Sequence, residues 1–450
     1  DMNNRSRIQI LYFLMAIILF AVGIFQSWNV ALTIFNLCLI SSIMTLGINV
    51  QWGNAGIVNF GVMGFAALGG LANIIISMPP TSNAWETGGN FIVIGLMIFV
   101  LSIIFSVFMF KRVNFNKRIK YLISFLIIFV GYFIMRFMVD SPIEQIESIE
   151  PAKTGYLGGF NLPVIISWPV GGLLAAFAAF IIGKISLGLR SDYLAIATLG
   201  ISEIIIYILK NEDWLSRGVK NVNGLPRPVP YEIELQSREW VLETANILKI
   251  PLPEVSSIIV KLSYSVLFLL VLLVILYLLQ IAVKSPWGRM MRAIRDNEVS
   301  ANAMGKDIKK RHLQVFIIGS AIVGIAGAML TTLDGQFTPV SYQPLRYTFL
   351  IWIMVIVGGS GNNFGSIIGA FLIWFFWIQS EPLGLWLLSF ITSHISDTNL
   401  IKSHLLENAA HIRLMFMGMI LLVTLRFAPK GLIPEAVSYT HLRAHETTDN

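Results

Sequence analysis

The sequence predicts an all-α, polytopic integral membrane protein with about 10–12 transmembrane helices, each requiring roughly 20 apolar residues to cross a bilayer. Three observations carry this. Apolar runs of spanning length recur from one end of the chain to the other. Only 13% of the 450 residues are charged and 56% are hydrophobic, with a mean hydropathy of +0.74; a soluble globular chain carries roughly a quarter charged residues. The basic residues also gather in a subset of the loops, as orientation by positive charge on the cytoplasmic side requires. The net charge of +7 is therefore read as topology, and nucleic acid is not expected as a partner.

Taken in order, Ile8–Phe25 is the first helix, with its N-terminus inside and no small-residue cleavage site behind it. Val30–Ile48 is the second. Residues 51–70, QWGNAGIVNFGVMGFAALGG, form a third, glycine-dense segment. Close helix packing through small residues explains it; a helix lining a path, with Asn54 and Asn59 as polar groups, is the sharper alternative. Phe91–Phe110 and Tyr121–Val139 follow, separated by KRVNFNKRIK, whose five bases and absence of acids place it in the cytoplasm. The acidic stretch 140–153 is then external. Pro169–Ile185 crosses inward and Leu194–Leu209 outward, and 211–254 forms a long external loop.

Ser256–Val283 leads into the most densely charged stretch, 284–312. Its eight bases (Lys284, Arg289, Arg292, Arg295, Lys306, Lys309, Lys310, Arg311) face three acids (Asp296, Glu298, Asp307). Few helix breakers occur between Arg289 and Met304, so one cytoplasmic helix is expected, stopped by Gly305. Leu313–Leu333, Tyr347–Val357, Phe364–Ile378 and Ile412–Leu425 complete the set, with an external segment over 379–410. Ser320, Gly324 and Ala328, four residues apart, read as a packing face, and Gly365 with Gly369 as another. Residues 1–437 are taken as one transmembrane permease domain. The tail 438–450, polar and His-rich, resembles a translated cloning adapter and is set aside as non-native.

Several chemistries find no support. Gly305-Lys306 is not followed by Ser or Thr, and Ser300 stands where a phosphate-binding loop needs glycine. The one cysteine, Cys38, lies in an apolar run, and the histidines are scattered, so no disulfide, metal site or catalytic cluster is expected. Of the intramembrane ionisable residues, Glu203 sits mid-span and is a functional candidate by position. Arg136 and Lys184 lie near span ends, where long basic side chains reach for the interface.

Four stretches give the chain a family. They are Gln51-Trp52-Gly53 with Gly56, Asn59, Phe60 and Gly61; Asp192 to Gly200, DYLAIATLG, continuing to Glu203; Ser285-Pro286-Trp287-Gly288-Arg289 with Ala293 to Asp296 and Glu298 to Gly305; and Gly358-Gly359-Ser360-Gly361 with Gly365. Pro429-Lys430-Gly431-Leu432 matches the family's close. In these the chain resembles the permease subunits of ABC importers for branched-chain amino acids, specifically the longer of the two usual permeases. The second and third stretches are specific; glycine-rich ones alone are weak.

The resemblance implies an ABC importer permease fold and alternating access for branched-chain or other apolar amino acids. It implies that 284–312 carries a coupling helix that docks on a separate ATPase, with Arg289, Arg292, Arg295, Glu298, Ala301 and Gly305 as coupling residues. Without it, that loop reads as an orientation signal meeting anionic lipid headgroups. Translocation-path residues are expected at Asn54, Asn59, Tyr193, Thr198 and Glu203. The implied partners are two ATP-binding subunits, a second homologous permease, a periplasmic or lipid-anchored substrate-binding protein and membrane lipid. No cofactor is expected in this chain, ATP-Mg being held by the partner subunits, and the chain itself is not an enzyme. A bacterial inner-membrane location follows, with both termini cytoplasmic. A urea or short-chain amide permease is the nearest rival. A gradient-driven secondary transporter is more distant, since it carries more midplane charge than Glu203 alone.

Overall fold

The computed structural model describes residues 2–113, 116–148, 155–391, 404 and 411–435. Helices α1 (Met2–Phe25), α2 (Trp28–Ile48) and α3 (Val62–Ser77) open the chain. Helices α4 (Asn90–Arg112), α5 (Lys117–Ser148), α6 (Val164–Ser186), α7 (Ser191–Asn211) and α8 (Leu252–Lys284) follow. Two short polar helices, α9 (Pro286–Asp296) and α10 (Glu298–Ala303), precede α11 (Ile308–Asp334), α12 (Pro344–Gly358), α13 (Asn363–Ile391) and α14 (Ile412–Phe427). Among the described residues nine helices are long and apolar enough to cross a membrane, and α3 and α12 are shorter apolar helices. With α14 these match, segment by segment, the crossings read from the sequence.

Four boundaries differ from that reading. Residues 51–70 do not form one helix. Helix α2 ends in a π-helical turn, Asn49–Gly53, and α3 begins only at Val62. Residues 56–61 between them are not helical, and Gly56 (φ +72) takes a left-handed conformation. The cytoplasmic helix expected from Arg289 to Met304 is broken at Asn297, whose extended backbone (φ −156°, ψ 99°) ends α9 and whose side chain accepts from Ser300 N at 3.0 Å to start α10. Helix α5 runs on to Ser148, so much of the acidic stretch is helical. Helix α13 runs to Ile391, so 379–391 is helix rather than connection; most of the remainder of that segment, and the tail 438–450, lies outside the described residues.

The centre of the bundle is α11, packed on α2, α3 and α6. Its small residues make this possible. Gly324 lies against the Gly69 backbone on one side, and a methyl group there would sit 2.5 Å from the Ala175 side chain and 2.6 Å from the Gly171 carbonyl. Gly365 and Gly369 likewise hold α13 against Gly358 and Met354 of α12. Polar side chains tie the centre together where water is excluded. Asn73 Nδ2 donates to Ala328 O (2.6 Å) and Thr332 Oγ1 (3.1 Å), Ser167 Oγ donates to Asn73 Oδ1, and Trp168 Nε1 donates to Thr332 Oγ1 at 3.0 Å.

Helices α4 and α5 are different. They pack on each other and join the rest near one end, through a separate small cluster of Ala84, Ile92, Val139, Ile146 and Leu157. At that end the 211–254 loop pairs its strand Val222–Asn223 antiparallel with Gln336–Phe337. The opposite end carries α9 and α10 and the turns at 53–56 and 359–362, brought together by Arg295 and Glu435.

Candidate functional site

Two places bring chemistry-bearing residues together. The first surrounds α9. Pro286 sits in the first turn, where its missing N–H costs nothing, and Met291 and Ile294 are buried beneath the helix. Arg295 points inward from the same helix. Its Nη1 donates to Gly53 O and pairs with Glu435 Oε2 at 2.9 Å, and its Nε pairs with Asp296 Oδ1 at 3.0 Å. Burial opposes its charge, but Glu435 and Asp296 outweigh that and hold the guanidinium above its ordinary pKa. Arg292 donates to Val283 O (3.3 Å) and stands 3.9 Å from Glu435. Arg289 is exposed and donates to Lys284 O at 3.2 Å.

The node continues inward. Asn49 Oδ1 accepts from Gly361 N (2.8 Å), while Asn49 Nδ2 donates to Asn363 Oδ1 (2.9 Å). Thus the end of α2, the α12–α13 turn, α9 and the chain after α14 meet at one point.

On α10 the roles divide. Ala301 is only 8% exposed and packs into the protein, whereas Val299 (80%) and Met304 (79%) project into solvent. Glu298 is exposed, 3.7 Å from His312 Nε2. Gly305 (φ +75) ends the helix in a left-handed conformation with open space around it. Asp307 then caps α11, accepting from Lys310 N at 3.0 Å. Beside α10 lies a cleft of about 720 Å³, lined by Gly56, Arg190, Glu298, Lys306, Lys309 and His312 among others.

The second place is a cavity of about 270 Å³ that reaches from the connection after α11 to the middle of the bundle. Ser41 and Met44 of α2, Met63 of α3, Trp374 of α13 and Tyr342 line it together with Asp334, which is exposed. Further along α2 and α12, Trp52 and Trp352 approach to 4.9 Å, and Phe60 meets Trp352 edge-on at 5.0 Å.

Of the expected path residues, three come together in the broken α2–α3 segment. Asn59 Nδ2 donates to Gln51 Oε1 (2.9 Å), its Oδ1 accepts from Gly61 N (2.8 Å), and its backbone oxygen accepts from Trp352 Nε1 (3.0 Å). Thr198 Oγ1 accepts from Phe60 N at 3.0 Å, and Ser202 Oγ from Gly64 N at 2.7 Å, so α7 supplies acceptors to the non-helical chain and to the first turn of α3. Asn54 is buried, donating to Asn49 O at 3.3 Å, with its Oδ1 unpartnered among the described residues. Tyr193 and Glu203 stand apart on α7, Tyr193 exposed and Glu203 half-buried. None of the five lines the cavity. The sequence reading also missed Gln51 as a buried hub, bonded to Phe316 O (2.9 Å) and Ser320 Oγ (3.1 Å), and it missed Glu435. A glutamine followed by tryptophan and glycine, just past a helix end, was the available signal for Gln51; Glu435 had none.

Comparison with known proteins matches residues 151–425, more than half of the chain, to the family described as branched-chain amino acid transport system, permease component. The chain is 32% identical over 208 residues to the Escherichia coli high-affinity branched-chain amino acid transport system permease protein LivM, covering 46% of this chain and 48% of that protein. It is 27% identical over 267 residues to the probable permease LivM of Methanocaldococcus jannaschii, covering 58% and 67%. A shorter match, 33% over 107 residues, is to the probable LivH of the same organism. The chain thus matches about half the length of the enterobacterial relatives. No solved structure matches. With its multi-pass helical fold and this match, the chain belongs to the permease-component family of branched-chain amino acid transport systems.

Proposed function

We propose that the chain is the membrane permease of an ATP-driven ABC importer, moving branched-chain or other apolar amino acids by alternating access. The observation that carries the reading is the α9–α10 pair. It is a polar helical element between two spans, fixed to the end of α2 through Arg295 and Gly53, with Val299 and Met304 left exposed beside basic residues. A helix so placed transmits force: motion imposed on its outer face reaches the turn beneath α2 and the α12–α13 hairpin through one buried ion-paired node. The names of the relatives supply the substrate class.

On this reading two ATP-binding subunits hold ATP-Mg and hydrolyse it, so that this chain needs no cofactor of its own. A second homologous permease completes the path, and a substrate-binding protein delivers cargo to the face that carries 211–254. The basic loops face the cytoplasm together with both termini, in a bacterial inner membrane. Arg289, Arg292, Arg295, Glu298, Ala301 and Gly305 form the coupling element. Within it Arg292, Arg295 and Ala301 hold its shape, and the exposed groups meet the ATPase. Asn54, Asn59 and Thr198 shape the hinge between α2 and α3, and Tyr193 and Glu203 lie toward the second permease or lipid.

The test is uptake of labelled leucine into proteoliposomes carrying this chain and its genomic neighbours, with binding protein outside, ATP inside and urea run in parallel. ATP-dependent leucine entry is expected. Entry of urea alone would change the substrate, and entry driven by an ion gradient without ATP would overturn the reading. Val299→Asp with Met304→Asp is expected to remove the ATPase on co-purification, at least tenfold, while the permease still inserts, because buried unpaired carboxylates are costly at an interface. Ala301 is a poor site for this test because its burial confounds docking with folding.

A further inference from the structure

Helix α7 divides its residues between two faces. Leu194, Thr198, Ser202, Ile206 and Leu209 are buried, and Thr198 and Ser202 accept from Phe60 N and Gly64 N. Tyr193, Ile196, Gly200, Ile204 and Tyr207, three and four residues apart and therefore on one face, are all exposed. A methyl group on Gly200 would meet nothing within 4 Å. An open glycine on a spanning helix lets a neighbouring helix approach closely.

Glu203 stands at the edge of that face, half-buried, twelve residues after Ser191 and eight before Asn211. It makes no hydrogen bond or ion pair among the described residues. Eight helical residues span about 12 Å, beyond the reach of a glutamate side chain from the nearer helix end. An ionisable group at that depth is costly against lipid hydrocarbon, and such groups face protein or a water-filled cavity. The outward row on α5, Phe125, Phe129 and Phe133, is satisfied by lipid alone; the face of α7 is not.

The face runs from Tyr193 to Tyr207, about 21 Å along a helix, and so through most of the hydrocarbon layer. What covers it is itself a membrane span, which excludes a water-soluble ATPase or binding protein. One organism among the relatives carries two permeases that this chain matches, so a second permease of the same fold is the partner that fits. We propose that this face of α7 is the seam on which the homologous second permease closes, with Gly200 at the point of closest approach and Glu203 accepting a hydrogen bond from across it. The proposal rests on the transport reading above and goes beyond it by assigning the surface that joins the two permeases.

The experiment co-expresses the full chain with the second permease and the ATPase encoded beside it. Gly200→Trp is expected to lower recovery of the second permease on purification tenfold or more. The same variant expressed alone should keep the wild-type profile on size exclusion, because position 200 meets nothing in its own fold. Gly418→Trp, at an equally open glycine on α14 among the exposed Leu414, Met415, Met419 and Leu422, is expected to leave recovery unchanged. Glu203→Leu is expected to lower recovery about threefold to tenfold, in line with one hydrogen bond, and Glu203→Gln to restore part of it. A photo-reactive phenylalanine analogue at position 204 should form an adduct with the second permease. If the wild type recovers no second permease, the transport reading itself fails. If the wild type recovers it and imports leucine, but Gly200→Trp recovers it equally well and the group at 204 marks only lipid or another copy of this chain, the seam is wrong. Equal losses in the two tryptophan variants would also overturn it. Should Gly200→Trp fail to fold alone, the adduct at position 204 decides.

Discussion

Helix α2 and the α4–α5 hairpin are both long and apolar, yet they end up in opposite surroundings. The most apolar window of the α2 segment is 78% buried inside the protein, and that of α5 only 11%. In water the greasier helix would be the inner one. Here α2 carries Asn36, Ser41, Ser42, Thr45 and Gly47, while α5 presents Phe125, Phe129 and Phe133 as an outward row of touching rings. Apolar character gains nothing from burial when the alternative is lipid, so close packing through small residues and interhelical hydrogen bonds decide which helix lies inside. The hairpin ends at Ser148, and the family match begins at residue 151, so it lies outside the matched region together with α1, α2 and α3.

The comparison can be broken at its strongest point. Gly324→Leu forces a side chain into the α6 backbone and should cost about 3 kcal/mol or more, enough to abolish the monodisperse peak on fluorescence-detected size exclusion. A wild-type peak would mean that the centre is not close-packed. A smaller effect is expected from Asn73→Leu, which removes the donor to Ala328 O and Thr332 and leaves Ser167 only Val164 O as acceptor. A loss of about 1–2 kcal/mol should appear as a lower thermal midpoint in detergent. Smallest of all is Phe129→Ala, which changes a surface facing lipid: a shift within about 0.5 kcal/mol and unaltered leucine uptake are expected. A drop as large as that of Asn73→Leu would sharpen the picture by showing that the outward face of α5 is covered by a partner.

Much of this architecture was legible in the chain. Helix positions follow from apolar run length, and the packing faces at Ser320-Gly324-Ala328 and Gly365-Gly369 follow from small residues at one-turn spacing. Breaks inside helices were harder. Asn297 reads as an ordinary helix residue until its side chain is seen capping the next turn, and the non-helical chain at 56–61 is held by α7, whose Thr198 accepts from Phe60 N. The second reason is not local. The cavity was illegible for the same cause: its lining comes from Leu37 to Trp374, five helices that only the fold assembles. Ala301 could be placed in the polar stretch 284–312, but not on the inner side of α10, because a six-residue helix is too short to show a periodic face.

The ion pair between α9 and Glu435 also has a consequence for the order in which the protein matures. Arg292 and Arg295 leave the ribosome well before residue 435 does, and α11 to α14 must insert in the interval. Until the last helix is in place, Arg295 has its carbonyl contact and Asp296 but lacks Glu435, the second carboxylate that holds its charge. The end of the protein that carries α9 therefore reaches its final shape only when α14 and Glu435 are in place.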